Sequence, residues 1–177
     1  MNADIMSLEK FPAYDLLYTD PPWGLRMVKY FNTQHKKDTG EARTHSWSDI
    51  FHQLGRLADT AKPMVVEYQV KDFEEVVRVM AEHGHAFDKK TQGTQSNGRR
   101  FVLLHFNCCF TFSEGLKGFG FVTDCVRQLG AKVVFDPFAG MGKTAKAVRD
   151  AGASYIGAEM NPARFKHLQR VVAGSNL

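Results

Sequence analysis

Short apolar runs alternate with amphipathic segments along most of the chain, a pattern that is typical of a layered α/β protein. The runs that predict buried strands are residues 14–18, 64–70, 101–106, 132–135 and 155–159. Residues 3–7 are a further, shorter strand candidate. Because helical segments separate these strands, we expect a doubly wound, mostly parallel sheet with helices on both faces.

Polar residues mark where several helices begin. Ser48 precedes apolar residues at helical spacing, and Pro63 is expected to end that helix. Asp72 is followed by Glu75, which predicts a capping box. Asn161-Pro162 predicts the N-cap and the first position of the last helix.

Two segments that are rich in basic residues interrupt this pattern. Residues 24–47 have neither helical nor alternating spacing, which predicts a long loop. Residues 86–112 predict an antiparallel β-hairpin with a polar, glycine-bearing tip. Both are candidate nucleic-acid-binding surfaces, and plain solvated surface is the alternative. Their basic residues are Arg26, Lys29, Lys36, Lys37, Arg43, Lys89, Lys90, Arg99 and Arg100.

The composition is that of an ordinary globular protein, with 44% hydrophobic and 24% charged residues. A length of 177 residues predicts one domain, residues 1–177. The net charge of +4 permits a polyanionic partner. No stretch has the apolar length of a membrane span, so we expect a cytoplasmic protein. The three cysteines and seven histidines lack metal-ligand spacing, so no metal is expected.

The first strongly apolar strand runs into Asp20-Pro21-Pro22-Trp23, a turn that places hydrogen-bond acceptors beside an aromatic face. The prolines donate no N–H, so the Asp20 carboxylate and the Pro21 carbonyl remain as acceptors, and the Trp23 indole can stack on a planar ring. An exocyclic amino group fits this site, because binding both of its hydrogens frees its lone pair. A structural turn with a packing tryptophan is the alternative.

A second motif, residues 136–142 (Asp-Pro-Phe-Ala-Gly-Met-Gly), follows the strand at 132–135. With the next helix and a strand that ends in Glu159, it forms the βαβ pattern of a nucleotide-like binding site. The glycines allow close approach of a ligand to the backbone, and Glu159 can accept hydrogen bonds from ribose hydroxyls. Gly142-Lys143-Thr144 matches the end of a phosphate loop, but Pro137 stands where that loop needs its first glycine.

Together the two motifs resemble those of S-adenosylmethionine-dependent amino-methyltransferases, in particular the N6-adenine DNA methyltransferases, and the similarity covers nearly the whole chain. The resemblance implies S-adenosylmethionine as the cofactor and a seven-stranded, Rossmann-like sheet. It implies catalytic roles for Asp20, Pro21, Pro22 and Trp23. The residues that it places against the cofactor are Asp4, Asp136, Pro137, Phe138, Ala139, Gly140, Gly142, Glu159 and Asn161.

The catalytic motif precedes the cofactor motif, an order similar to that of the circularly permuted β class of these enzymes. In that class the third cofactor strand lies at the N-terminus, where Asp4 matches an acid that contacts the adenine of the cofactor. The resemblance implies methyl transfer to N6 of an adenine that is flipped out of DNA. The chain has no separate target-recognition domain, so we expect a short target and a setting such as a phage. A monomer and a homodimer both stay open.

Two other functions stay open at this point. The Asp-Pro-Pro-Trp sequence also occurs in enzymes that methylate adenosine in RNA, so an RNA substrate is the main alternative. A non-catalytic, nucleic-acid-binding partner subunit with a methyltransferase fold is the other.

Overall fold

A six-stranded sheet forms the centre of the protein in a computed structural model that describes residues 1–174. The last three residues of the predicted domain, 175–177, lie outside the described part of the chain. The strands are β1 (Leu16–Thr19), β2 (Met64–Tyr68), β3 (Phe87–Thr94), β4 (Arg100–Phe106), β5 (Val133–Asp136) and β6 (Ser154–Gly157). They lie in the order β3-β4-β2-β1-β5-β6.

The pairing within the sheet is parallel at its centre and antiparallel at one edge. Strand β1 pairs in parallel with β2 and β5, and β5 pairs in parallel with β6. The hairpin of β3 and β4 attaches antiparallel to β2. The predicted α/β class and the antiparallel hairpin edge are therefore confirmed.

The expected seventh strand is wrong in this structure. Asn2 forms one parallel bridge with Glu159, and the chain then turns into a 3₁₀-helix, Ile5–Ser7. The turn begins because the Asp4 side chain accepts the N–H of Met6 at 3.1 Å. An N-cap at Asp4 ends the extended segment after a single bridge, so the sheet has six strands.

Helices cover the sheet and connect its strands. Their bounds are α1 (Gly24–Thr39), α2 (Trp47–Leu57), α3 (Phe73–Glu82), α4 (Gly120–Leu129), α5 (Lys143–Asp150) and α6 (Pro162–Val172). Helix α2 packs on α3, whereas α4 packs on α5. The connection from β1 to β2 runs toward one edge of the sheet, and that from β5 to β6 runs toward the other. Right-handed crossovers in opposite directions place their helices on opposite faces, so the sheet is doubly wound.

The prediction of a loop at residues 24–47 is wrong, because most of this segment is helix α1. Gly24 begins the helix with φ +77°, and Gly40 ends it in the left-handed conformation. Only Val28 and His35 are buried among its 16 residues. Such a sparse apolar face produces no clear helical period in the sequence, although half of the other residues are good helix formers.

Three of the predicted helix signals are also corrected. The N-cap of α2 is Ser46, whose hydroxyl accepts the N–H of Asp49, so the capping box lies two residues before Ser48. This helix ends at Leu57, and Pro63 instead stands directly before β2. At α3, Asp72 is the N-cap residue but has a left-handed backbone and makes no side-chain cap, so the predicted box with Glu75 does not form.

Candidate active site

The two sequence motifs meet where β1 and β5 end side by side. Leu17 pairs with Phe135, so the parallel strands deliver Asp20 and Asp136 to the same edge of the sheet. Connections leave these two neighbouring strands in opposite directions, which is the topological switch point at which open α/β sheets bind ligands. The sheet topology alone therefore selects this crevice.

Asp136 fixes the geometry of the crevice. Its Oδ1 accepts hydrogen bonds from Thr19 Oγ1 at 2.8 Å and from the Phe138 N–H at 3.0 Å, and its Oδ2 accepts the Tyr155 hydroxyl at 3.2 Å. The side chain is only 1% exposed. Burial raises the pKa of Asp136 to about 6, against the opposing effect of these donors.

The glycine-rich turn after β5 needs its glycines for different reasons. Gly140 has φ +52°, a conformation that favours glycine. Gly142 has φ +80°, and a Cβ there would lie 2.9 Å from Leu168 Cδ1, so its absence lets α6 pack against the turn. The Ala139 N–H donates to the Ala158 carbonyl at 2.9 Å, which ties the turn to the segment after β6.

Glu159 lies just beyond β6 with one carboxylate oxygen engaged. Its Oε1 accepts the Asn161 N–H at 2.7 Å, and burial raises its pKa. Asn161 itself caps α6 by accepting the N–H groups of Ala163 and Arg164. Its side-chain amide also donates to Asp38 of α1 at 2.5 Å. Asn161 is therefore a positioning residue, held behind Glu159.

A cavity of about 380 Å³ extends from the end of β1 to the end of β6. Asp20 and Pro22 of the first motif line it together with six of the nine predicted cofactor residues: Asp4, Pro137, Phe138, Ala139, Gly140 and Glu159. The other three, Asp136, Gly142 and Asn161, lie behind the wall of the cavity and shape it through the contacts above.

Helix α1 forms one wall of this cavity. Val28, Phe31 and Asn32 line it, while Arg164 of α6 lies 4.7 Å from the ring centre of Phe31. With the hydrogen bond between Asp38 and Asn161, this contact joins α1 to α6 across the cavity. The segment predicted as a loop is thus a helix laid over the site.

Asp4 and Arg43 form an ion pair at the end of the cavity near Glu159. The guanidinium also contacts Met160 Sδ at 2.9 Å. Sequence analysis assigned Arg43 to a nucleic-acid surface, but the structure places its side chain inside the cavity. The Asp4 carboxylate, predicted to face the cofactor, is therefore already neutralised by a neighbour.

The residues of the Asp20-Pro21-Pro22-Trp23 turn differ in their exposure to solvent. Asp20 keeps solvent contact through the cavity, yet the surrounding protein excludes enough water to raise its pKa well above the ordinary range. The nearby carboxylates of Glu67 and Asp136 raise this pKa further. Trp23 lies outside the cavity and is only 8% exposed, with its indole N–H donating to the Glu67 carbonyl at 3.2 Å.

Glu67 is a site residue that sequence analysis missed. Thr19 pairs with Val66, so the next residue of β2 lies beside Asp20 at the end of β1. Its carboxylate accepts a hydrogen bond from Gln95 at 3.3 Å, and burial raises its pKa to about 7. A single charged residue within an otherwise apolar strand was the signal that could have identified it.

The predicted basic residues differ in their contacts, and Lys90 and Arg99 are exposed although each lies against an aromatic ring. The exposed ones on α1 are Arg26, Lys29, Lys36 and Lys37, and Arg100 is exposed at the start of β4. Lys89 donates to Thr111 at 3.0 Å, and Lys90 lies 4.0 Å from the ring centre of Phe73. The Arg99 guanidinium lies over Trp23 at 4.3 Å. The two basic segments therefore do not form one uniform surface.

Among residues 1–174, no group of three or more His, Cys, Asp or Glu side chains is arranged to hold a metal ion. In the same part of the chain, no helix is long and apolar enough to cross a membrane.

Comparison with known proteins gives a family match over one segment of the chain and a common fold over almost all of it. A family model described as DNA methylase matches residues 121–170, which include β5, the glycine-rich turn and β6. No curated protein matches the chain.

Solved structures share the fold over almost the whole chain. TTHA0409 of Thermus thermophilus, described as a DNA modification methylase, is 14% identical, with a TM-score of 0.67 and coverage of 97% of this chain and 93% of that one. M1.HpyAVI in complex with SAM is 15% identical, with a TM-score of 0.61 and coverage of 89% and 88%. PvuII DNA methyltransferase, which is cytosine-N4-specific, is 15% identical, with a TM-score of 0.61 and coverage of 99% and 94%. At this identity the similarity establishes a common fold.

Proposed function

We propose that the protein is an S-adenosylmethionine-dependent DNA methyltransferase of the N6/N4 amino-methyltransferase family, and that it methylates N6 of adenine. One observation carries the proposal: Asp20 and Pro22 line the same cavity as Phe138, Gly140 and Glu159. The Asp20 carboxylate, an acceptor for an amino group, and a nucleotide-like binding turn thus open into one space. The matched family model and the methyltransferases with this fold support the broader class.

The residues that line the cavity have the chemistry that is needed to bind S-adenosylmethionine. The Glu159 carboxylate accepts the Asn161 N–H at Oε1, and its two oxygens have further acceptor capacity for the ribose hydroxyls. Gly140 has no side chain to fill the space above the turn, and the Phe31 ring supplies an apolar wall. Asp4 would contact the adenine while paired with Arg43. When bound, the cofactor supplies a methyl group on a positively charged sulfur.

The Asp20 turn binds and activates the amino group of the substrate. The Asp20 carboxylate accepts one amino hydrogen and the Pro21 carbonyl accepts the other, so the nitrogen lone pair is released from conjugation with the ring. Trp23 stacks on the heterocycle. Transfer would form the carbon–nitrogen bond while the sulfur–methyl bond breaks and leaves its electron pair on sulfur, and the ionised Asp20 carboxylate is placed to receive the proton that the amino group loses.

The base must leave a duplex, or be presented in a single strand, to reach Asp20. The exposed cations of α1, Arg26, Lys29, Lys36 and Lys37, lie on the helix that also walls the cavity. They are suited to hold the phosphates beside the extruded base. Arg100 adds a charge on the hairpin side.

In this interpretation the order of the two motifs along the chain corresponds to the permuted β class.

Methylation of cytosine N4 in DNA is the second candidate. The cytosine-N4-specific PvuII enzyme has this fold, with the same TM-score as the M1.HpyAVI complex. Cytosine N4 presents the same pair of amino hydrogens beside a ring-nitrogen acceptor, so the Asp20 and Pro21 acceptors suit either base.

Transfer of isotopic label from S-adenosylmethionine to unmethylated duplex DNA, single-stranded DNA and RNA tests the proposal, with the product nucleosides identified by mass spectrometry. We expect label on N6-methyldeoxyadenosine. Label on N4-methyldeoxycytidine would select the second candidate, and label on RNA alone would replace DNA as the substrate. Cofactor binding without transfer to any of the three would overturn the proposed reaction. Asp20→Asn is the control for a contaminating enzyme.

A further inference from the structure

Arg99 covers the aromatic face on which a substrate base would stack. Its guanidinium carbon lies 4.3 Å from the ring centre of Trp23, and the Trp23 side chain is only 8% exposed with Arg99 in this position. Arg99 itself is exposed, so it lies on the solvent side of the indole. No face of Trp23 is therefore free for a second planar group.

The hairpin turn holds Arg99 in this place. The Arg99 carbonyl accepts the Gln95 N–H at 2.8 Å, and the Arg99 N–H donates to Asn97 Oδ1 at 3.0 Å. The Gln95 side chain in turn donates to Glu67 at 3.3 Å. These bonds fix the hairpin tip against the end of β2, next to the Asp20 turn.

A guanidinium shares the features by which this site would recognise an aminopurine. It is planar, it stacks on aromatic rings, and its N–H groups donate hydrogen bonds to carboxylates. The charge of Arg99 acts on Asp20 and on Glu67. A base that stacks on Trp23 and directs its amino group to Asp20 would need the same ring face and the same carboxylate environment.

We propose that Arg99 occupies the base subsite in the free protein as an internal stand-in for the substrate base, and that an entering base must displace it. This inference rests on the proposed function. In the absence of nucleic acid, Arg99 therefore blocks the base subsite. A base that enters competes with Arg99, so its apparent affinity is reduced by the fraction of time for which Trp23 is covered.

The size of the effect follows from the strength of the contact. A cation–π contact at an exposed site corresponds to about a two- to fivefold change in an equilibrium constant. Replacement of Arg99 by glutamine should therefore strengthen binding of a phosphate-free base by about two- to fivefold. The sequence-based alternative, in which Arg99 grips phosphate, predicts no gain for a ligand that has no phosphate.

The experiment titrates adenosine into ¹⁵N-labelled protein that is saturated with S-adenosylhomocysteine, so that adenosine cannot occupy the cofactor site. The chain has two tryptophans, and the indole N–H signal of Trp23 is assigned by its loss in Trp23→Phe. We expect Arg99→Gln to shift the Trp23 signal, to leave the Trp47 signal in place and to tighten adenosine binding. Lys117→Gln removes an exposed charge from the loop that is bonded to the hairpin at Thr94, and should leave the affinity unchanged.

Adenosine that binds wild type and Arg99→Gln equally well, or binds the variant more weakly, overturns the inference while leaving the proposed methyl transfer intact. Adenosine that perturbs Trp23 in neither protein also overturns it, because no base subsite then exists on that face. Failure of the proposed function is recognised separately, as absence of label transfer from S-adenosylmethionine in the wild-type protein.

Discussion

The Thr19 hydroxyl donates a 2.8 Å hydrogen bond to the buried Asp136 carboxylate, and this bond joins the Asp20-Pro21-Pro22-Trp23 turn to the glycine-rich turn. The two residues are 117 positions apart in sequence, yet each ends one of two adjacent parallel strands. Asp20 follows Thr19, and Phe138 lies two residues after Asp136 and donates its N–H to the same carboxylate. The spacing of the two halves of the site therefore depends on this bond.

Thr19→Val should lower the free energy of unfolding by about 1–3 kcal/mol, because it leaves a buried carboxylate with one donor fewer. Thr19→Ser keeps the hydroxyl and loses one methyl group, so about 0.8 kcal/mol is expected. Urea unfolding followed by circular dichroism measures both values. Equal losses in the two variants would show that packing of the methyl group, and not the hydrogen bond, stabilises the junction.

Asp20→Asn should reduce methyl transfer by about 10²–10⁴-fold, because the amide cannot take the proton that leaves the amino group. Affinity for S-adenosylhomocysteine, whose sulfur is uncharged, should stay close to that of wild type. Single-turnover label transfer and calorimetry supply the two readouts. A variant that loses ligand binding and transfer together would place Asp20 in the cofactor site and remove it from the chemistry.

Glu67→Gln should move the pH dependence of transfer toward acid. Asp20 must be ionised to act, and its raised pKa makes the wild-type rate rise with pH. Removal of the neighbouring carboxylate lowers the pKa of Asp20, so the same rise should begin at lower pH. Single-turnover rates from about pH 5.5 to 9 test this, with the exposed Glu114→Gln as the matched control. An unchanged profile would exclude Glu67 as the neighbour that sets the pKa of Asp20.

Asp136 should make the protein less stable as the pH rises. Its pKa is about 6 in the folded state and about 4 when unfolded, so between these values the folded chain holds the extra proton. The contribution of Asp136 to the free energy of unfolding should fall by about 3 kcal/mol across this window and be constant above it. Unfolding of wild type and Asp136→Asn from about pH 4 to 8 isolates this contribution. Parallel pH curves for the two proteins would contradict it.

Asp38→Ala should loosen α1 without affecting the rest of the fold. Few residues of α1 are buried, and Asp38 joins it to Asn161 of α6. Loss of this bond should speed amide hydrogen exchange in α1 by about two- to tenfold while α2 keeps its rates. Asp38→Asn retains an acceptor and should exchange nearly as slowly as wild type. Faster exchange throughout the molecule would instead indicate global destabilisation.

Much of this architecture is predictable from the apolar pattern. The strands around Leu17, Val65 and Phe135 are buried on both faces and appear in the sequence as short continuous apolar runs. Because both motifs follow such strands, their meeting at the carboxyl edge of the sheet could be expected before any coordinates. The six strands, the hairpin edge and the shared cavity agree with that expectation, apart from the missing seventh strand.

The features that could not be predicted depend on surfaces that cover a cavity or approach it from outside. Helix α1 lies over the cavity, so it needs few apolar residues and shows no stripe. Arg43 points inward only because Asp4 is there to pair with it. Arg99 contacts Trp23 from a hairpin tip that is hydrogen-bonded to Glu67 through Gln95, and strand propensity does not encode such a long-range contact.

The division of the site along the chain has an evolutionary consequence. Residues 121–170, which the DNA methylase model recognises, hold the glycine-rich turn and Glu159, whereas Asp20, Glu67 and the hairpin tip precede this segment. Substitutions in the tip can therefore accumulate without altering the glycine-rich turn or Glu159. Under the proposed function, selection for a new target acts on the hairpin tip and on α1, so related proteins can diverge in the base that they modify while the glycine-rich turn and Glu159 stay unchanged.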